Sequence, residues 1–340
     1  MNFSMLPETS KSLVKKYLTK EIFKALKNES TDSGFTLDKA IRSGILNPDS
    51  SIGIYAGDAQ SYKRFSTIFD PIIHEYHGIS KGKKHTSALQ SVHLTDPDPE
   101  RKYILSTRIR IARNLTGFNF TNHIDFAQRK ILEKKIVGAL CDLKGYVRGE
   151  YHSFELPAKK AAFTLEEKKM QFEKGDRFQD AAGINSDFPK CRGIFYTPDK
   201  RFRVWVNEED HMRIISQDSS SDISGVFNLL CKALVVLEQS LDFVKDDTYG
   251  YLTSCPSNIG TTMRAGVHIR LGKLNQNRTL LASLTKAHGL QIRGTLGEKT
   301  RVDNAVFDIS NQRRLGVSEV QIVKNLHQGL LEIIDTEKNL

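Results

Sequence analysis

The sequence predicts a small helical domain followed by a larger α+β domain. Three observations carry this. Over residues 11–77 apolar side chains recur near the 3.6-residue period of a helix. Residues 78–100 are mostly polar and contain Gly78, Gly82, Pro97 and Pro99, the composition of a linker. Beyond residue 100 alternating stretches appear between long helical patterns. The boundary falls within the linker, giving domains of residues 1–93 and 94–340. A chain of 340 residues with 39% hydrophobic content buries a sizeable core and is too long for one typical domain.

In the first domain Leu13, Val14, Tyr17, Leu18, Ile22, Phe23 and Leu26 predict an amphipathic surface helix over 13–26. Leu37, Ala40 and Ile41 predict a short helix over 36–43, and residues 60–77 are helical again. Between them the Pro, Asp, Ser and Gly content of 47–55 predicts a loop. In the second domain residues 103–111 alternate. Tyr103, Leu105, Thr107, Ile109 and Ile111 then face the core, with Arg108 and Arg110 on the other side. Residues 202–215 predict two strands around the polar turn 207–210. Residues 263–271 alternate with Met263, Ala265, Val267 and Ile269 opposite Arg264 and His268. Long helices are expected at 124–143 and 225–244. The last helix starts at a capping box of Ser318 and Gln321, with Val317 placed to staple onto Ile322.

The chain carries 50 basic and 40 acidic side chains, a net charge of +10. That balance favours an anionic partner, whether nucleic acid, membrane surface or nucleotide. The densest basic cluster, Lys81, Lys83, Lys84 and His85, lies in the polar linker and reads as solvated, so no nucleic-acid partner is expected. The cysteines, Cys141, Cys191, Cys231 and Cys255, have no C-x-x-C spacing, so free thiols in a reducing compartment and no metal site are expected. No apolar run approaches the ~20 residues of a membrane span. The first ten residues carry no signal pattern. The expectation is a soluble cytoplasmic protein with no membrane partner. The nearest approach to a Walker loop, Gly294-Thr-Leu-Gly-Glu-Lys-Thr, places Glu298 before the lysine, where a carboxylate would repel phosphate. A nucleotide would have to be held by something else.

Arginines offer that alternative. Arg108 and Arg110 share a strand face, and Arg264 shares another with His268. Arg213 follows the acidic turn, and Arg293 ends a short apolar stretch. Guanidinium groups grip phosphate bidentately and stay charged. Solvent-facing strand arginines are also common, and the pattern alone does not choose. The turn Asn207-Glu-Glu-Asp-His is equally two-sided: consecutive acids in a turn are usually solvated, and a functional role requires a cation such as a guanidinium. The segment from Cys255 to Thr262 is a turn carrying a thiol. Ser257 can hydrogen-bond the sulfur and favour the thiolate, although a buried structural thiol is the commoner case.

These segments resemble the phosphagen (guanidino) kinase family, and its arginine kinase branch above all. The resemblance rests on Arg203-Val-Trp-Val-Asn-Glu-Glu-Asp-His-Met-Arg-Ile-Ile-Ser and Cys255-Pro-Ser-Asn-Ile-Gly-Thr-Thr-Met-Arg-Ala. Arg293-Gly-Thr-Leu-Gly-Glu, Ser106-Thr-Arg-Ile-Arg, Asp308-Ile-Ser-Asn-Gln-Arg-Arg, Gly53-Ile-Tyr-Ala and Phe69-Asp-Pro-Ile-Ile add to it in the right order. It implies a small all-helical N-terminal domain and a larger domain with an antiparallel β-sheet flanked by α-helices. It implies reversible transfer of the γ-phosphoryl of Mg-ATP to the guanidino nitrogen of free L-arginine. The alternatives are taurocyamine or another guanidine, or a protein-arginine kinase.

Residue by residue, Arg108, Arg110, Arg213, Arg264 and Arg293 resemble the phosphate-gripping arginines, with Ser106, His268 and Asp308 near the nucleotide. Glu209 and Glu298 resemble the carboxylates that hold the substrate guanidinium, and Cys255, with Ser257, the thiolate that meets it from another side. Ser50, Ser51, Ile52, Gly53 and Tyr55 resemble the guanidino specificity loop. Asp49 and Arg177 resemble a pair that bridges the domains on closure. Magnesium accompanies ATP or ADP without a protein metal site, and a monomer or homodimer is implied. A family histidine upstream of Gly175-Asp-Arg has no counterpart, with Lys169 falling nearest. Lys299, Gly266 and Gly57 also depart from the arginine branch.

Overall fold

The computed structural model describes residues 6–155, 170–293 and 304–340. The first domain contains α1 (Leu13–Tyr17), α2 (Lys20–Leu26), α3 (Leu37–Leu46), α4 (Gln60–Arg64) and α5 (Ser66–His77). The single helix expected over 13–26 is two. Thr19 adopts extended backbone between them, and its hydroxyl accepts from the Ile22 N–H at 3.2 Å, which caps α2. Residues 60–77 likewise break at Phe65. Phe35, Phe65, Phe69, Ile54 and Ile72 are fully buried at the centre of this domain.

The second domain is built on an eight-stranded antiparallel sheet. Its strands are β1 (Ile104–Arg113), β2 (Glu150–Ser153), β3 (Gly193–Tyr196), β4 (Phe202–Val206), β5 (Met212–Asp218), β8 (Arg264–Arg270), β9 (Leu290–Arg293) and β10 (Val306–Asn311). They lie in the order β2-β3-β4-β5-β1-β8-β10-β9. A two-residue pair, β6 (Lys245–Asp246) and β7 (Gly250–Tyr251), stands apart. Helices α6 (Phe126–Cys141), α8 (Ile223–Leu237), α9 (Arg278–Ala287) and α10 (Glu319–Asn339) contribute to one core with the sheet's inner face. Helix α7 (Arg177–Ala182) lies outside that core. The α+β architecture and the antiparallel sheet are as expected.

Alternation sorts each strand. Ile109, Ile111, Val204, Ile214, Ala265 and Ile309 go into the core. Their neighbours in sequence, Arg108, Arg110, Arg203, Arg213, Arg264 and Asp308, therefore share the opposite face. Two expectations fail locally. A register shift between Ile104 and Ser106 puts Ile104 in the core and leaves Leu105 38% exposed. The helix expected over 225–244 stops at Leu237, where the chain turns toward β6. At α10 only half of the capping box forms: Ser318 accepts from the Gln321 N–H at 3.3 Å, while the Gln321 side chain donates to Asn325.

Residues 79–100 form no regular element, but much of this linker is pinned. Val92 N–H donates to Asn228, Leu94 N–H to Ser224 and Ala88 N–H to Glu319. The first domain's core also continues into the second through Tyr249, Leu252, Cys255, Ile259 and Leu315. No helix among the described residues is long and apolar enough to cross a membrane.

Candidate active site

Sheet register assembles the arginines. Arg110 lies opposite Arg264 on β8, Arg108 opposite Gln217 on β5, and Asp308 on β10 opposite both His268 and Arg293. Residues far apart in sequence thus form one charged surface on the sheet face away from the core. Burial pulls the pKa of Arg108 down to about 9, and repulsion from Arg203, Arg213 and Arg264 adds to it. Arg110 is lowered for the same reasons, burial first and then Arg213 and Arg108. An anion in the cleft would offset both the burial of these guanidinium charges and their mutual repulsion. The Nε of Arg108 is buried without a hydrogen-bond partner among the described residues. Arg264 donates to Asp308 at 2.5 Å, and Ser106 Oγ lies 3.3 Å from His268 Nδ1.

The acidic turn is buried, not solvated. Asn207 takes a left-handed conformation (φ 58°), and its side-chain amide donates to Cys191 C=O at 2.8 Å. Asp210 accepts from Asn114 at 2.7 Å and from Ser254 N–H at 2.8 Å. His211 accepts from Leu115 N–H, and burial holds its pKa down to about 3, so the ring is neutral. This leaves Glu209 to face the cleft. Arg213 donates to Glu209 at 2.8 Å and lies 2.9 Å from Glu208. Burial drives the Glu209 carboxyl upward despite that partner. Burial also works against the charge of Arg213, but Glu208, Glu209 and Asp210 outweigh it and raise its pKa.

Cys255 is seated between the domains. Ala56 N–H donates to Ser254 C=O at 2.8 Å, Tyr62 OH to Thr253 C=O at 2.7 Å, and His77 Nε2 lies 2.9 Å from Pro256 C=O. Its Sγ lies 3.0 Å from Ser257 Oγ, the contact expected from the spacing. Burial and the nearby Glu209 nevertheless push the thiol up to about 12, and the serine only partly opposes this. With protein groups alone, burial outweighs the serine and disfavours the thiolate at Cys255.

The 47–55 loop faces this cysteine. Leu13 and Val14 N–H groups donate to Ser51 and Ile52 C=O at 2.9 and 3.0 Å, and Tyr55 N–H to Ala40 C=O at 2.9 Å. Gly53 has φ 78°, and a Cβ there would lie 2.7 Å from Val14 Cγ1. Gly57 and Gly266 are equally confined: a Cβ would meet the Phe35 ring at 2.2 Å and Ser310 Cβ at 2.7 Å. At the rim Arg177 pairs with Asp49 and donates to Asn47 at 3.0 Å.

Two adjoining cavities result. The larger, about 600 Å³, is lined by Asp49, Ser50, Ser51, Ile52, Gly53, Tyr55, Arg110, Glu209, Arg213, Cys255, Ser257, Arg264 and Arg293. The smaller, about 220 Å³, is lined by Ser106, Arg108, Arg110, Arg264, His268 and Asp308. They share Arg110 and Arg264. Glu298, the loop glycines Gly294 and Gly297, Lys299 and Lys169 lie outside the described residues. Tyr76 and Arg314 also line the larger cavity; the sequence assigned neither a role, although Arg314 closes the Asp308-Ile-Ser-Asn-Gln-Arg-Arg stretch. Arg314 donates to Ser257 C=O at 2.9 Å. It follows the end of β10, where no alternation marks it. No group of three or more His, Cys, Asp or Glu able to hold a metal occurs among the described residues.

The model of the ATP:guanido phosphotransferase C-terminal catalytic domain matches residues 131–340, and that of the N-terminal domain matches residues 8–74. An arginine kinase of Anthopleura japonica is 46% identical over 96% of this chain, which spans only 47% of that relative's length. An arginine kinase of Limulus polyphemus is 43% identical over 99% of this chain and 96% of its own. The substrate-free duplicated taurocyamine kinase from Schistosoma mansoni superposes with a TM-score of 0.90 at 34% identity, covering 98% of this chain and 48% of that one. A lombricine kinase structure gives 0.90 at 31% identity, covering 99% and 94%. The chain belongs to the ATP:guanido phosphotransferase family.

Proposed function

We propose that the protein transfers the γ-phosphoryl group of ATP, reversibly, to a guanidino nitrogen of free L-arginine. The observation that carries this is the junction of the two cavities. Arg110 and Arg264 separate an arginine-lined anion site from a pocket that offers Glu209 and Cys255 to a cation. Phosphates lie along Arg108, Arg110, Arg213, Arg264 and Arg293, whose charge offsets the negative charge on the transferring group. With no carboxylate cage among the described residues, magnesium would be carried on the nucleotide's phosphates and would neutralise part of their charge.

The guanidinium takes the other cavity, with the specificity loop at its amino-acid end and Glu209 and Cys255 at its nitrogens. It competes with Arg213 for Glu209. A bound cation also favours the ionised forms of Glu209 and Cys255, which burial disfavours. Glu209 does not remove the guanidinium proton beforehand. Even with its carboxyl raised to about 7, Glu209 lies ~5.5 or more pKa units below a guanidinium, a gap that would cost over ~7 kcal/mol. Instead the N–Pγ bond forms as the Pγ–O bond to ADP breaks, and Glu209 receives the nitrogen's proton late, with Glu298 assigned as its partner. Positioning supplies roughly 7–11 kcal/mol of the barrier reduction. Closure through Asp49 and Arg177 excludes water.

Arginine is favoured because the relatives at 42–46% identity over most of the chain are arginine kinases. The solved taurocyamine and lombricine kinases keep other free guanidines as the second reading. The specificity loop would crowd a protein chain. The protein is placed in the cytoplasm, as a monomer or homodimer. The test is ADP release from Mg-ATP with L-arginine, taurocyamine, creatine and glycocyamine in parallel. Turnover with arginine supports the reading. Turnover only with another guanidine keeps the chemistry and moves the substrate, and none with any overturns it.

A further inference from the structure

The γ-phosphate must sit where the cavities meet, at Arg110 and Arg264. The remainder of the smaller cavity, with Ser106, Gln217, Ser219 and His268, then takes the nucleoside end. This placement rests on the proposed function. Gln217 ends the sheet-face row of β5, opposite Arg108 on β1. Arg203 stands on the same face of β4, only 6% exposed, and donates its Nη2–H to Gln217 Oε1 at 2.7 Å. Arginine has donors and no acceptor, so the amide atom facing it must be the oxygen. Flipping the amide would set N–H against N–H. What Gln217 has left to offer the cavity is the NH2 group.

We propose that Arg203 and Gln217 form a positioning pair for the nucleoside. Arg203 locks the amide, and Gln217 Nε2 donates to an acceptor on the nucleoside, as the ring nitrogens of adenine provide. Arg203 also adds positive charge beside Arg108, but its side chain is committed to the amide.

The substitutions separate these parts. Gln217→Glu keeps an oxygen for Arg203 while removing both N–H donors, and Gln217→Met removes donor and acceptor together. Both raise KM for ATP by roughly 3- to 10-fold, the worth of one hydrogen bond. In Gln217→Met, which adds no charge beside Arg108, KM for the guanidine and the affinity for inorganic tripolyphosphate, which has no nucleoside, stay within about twofold. Arg203→Met gives a smaller rise in KM for ATP, and Arg203→Lys recovers part of it. Wild-type KM for ATP in both Gln217 variants overturns the pair. So does equal weakening of tripolyphosphate by Gln217→Met, which would place Gln217 on the phosphates. A wild-type protein that binds neither ATP nor tripolyphosphate overturns the proposed function itself, and this inference with it.

Discussion

Glu209 shows how a surface-looking residue becomes a site. In sequence it sits among acids in a turn. In the fold that turn is tied down through Asn207, Asp210 and His211, so Glu209 is 9% exposed and already engaged by Arg213. Glu209→Gln keeps an oxygen for Arg213 but loses the charge that meets a guanidinium. The expected result is a kcat about 100-fold lower or worse, with ATP binding retained, measured by steady-state kinetics and nucleotide titration. The pH dependence follows from the raised carboxyl. Glu209 loses its charge on the alkaline side of the usual carboxylate range, so KM for the guanidine climbs as pH falls into the acid range. The Gln variant should show no such climb; an identical climb would assign it to another group.

The four adjoining central strands β4, β5, β1 and β8 and their arginine faces were legible in the sequence, because alternation is strong where one face packs on helices. The outer strands β2, β3, β9 and β10, four to six residues long, show too few alternations to be read, and the short helices α7 and α9 were also missed. Other misses were local. Thr19 broke one expected helix by capping the next, and a bulge reversed Leu105, neither of which periodicity records. Arg314 and Tyr76 reach the cleft from a strand end and a helix terminus, where no period points. The 47–55 loop was legible as a loop from its composition, and only the specificity role of residues 50–55 rested on resemblance; its shape has a physical reason, since Gly53 must be left-handed and must let Val14 approach. Gly53→Ala should cost about 1–2 kcal/mol in urea unfolding from backbone strain alone. It should also raise KM for the guanidine more than for ATP. Equal effects on both substrates would mean that the loop does not belong to the guanidine side.

Across the whole molecule the two domains meet through hydrogen bonds around Cys255 and an ion pair at the rim. Arg177 and Asp49 are more than half exposed, so solvent screens their pair and it adds little to stability. Arg177→Ala should therefore leave the unfolding midpoint nearly unchanged while raising KM for the guanidine, since it releases the loop from α7. A large loss of stability with unaltered kinetics would make the pair a structural clamp. His77, buried at the domain junction, has its pKa held down to about 4 from an ordinary 6.5 by burial. The unfolded chain protonates it first, so stability is lost as pH falls from 6.5 toward 4, by on the order of 3 kcal/mol. His77→Asn should flatten the urea midpoint across that window; an unchanged slope would assign the loss to other groups. The claim that unites the three scales is that one cleft holds a nucleotide's phosphates and a free guanidinium in line. Phosphorus NMR of Mg-ATP and L-arginine with the protein tests it most directly. The account predicts a phosphoguanidine resonance that grows in step with ADP, with little inorganic phosphate. ATP consumed to inorganic phosphate alone, or not consumed at all, would contradict it.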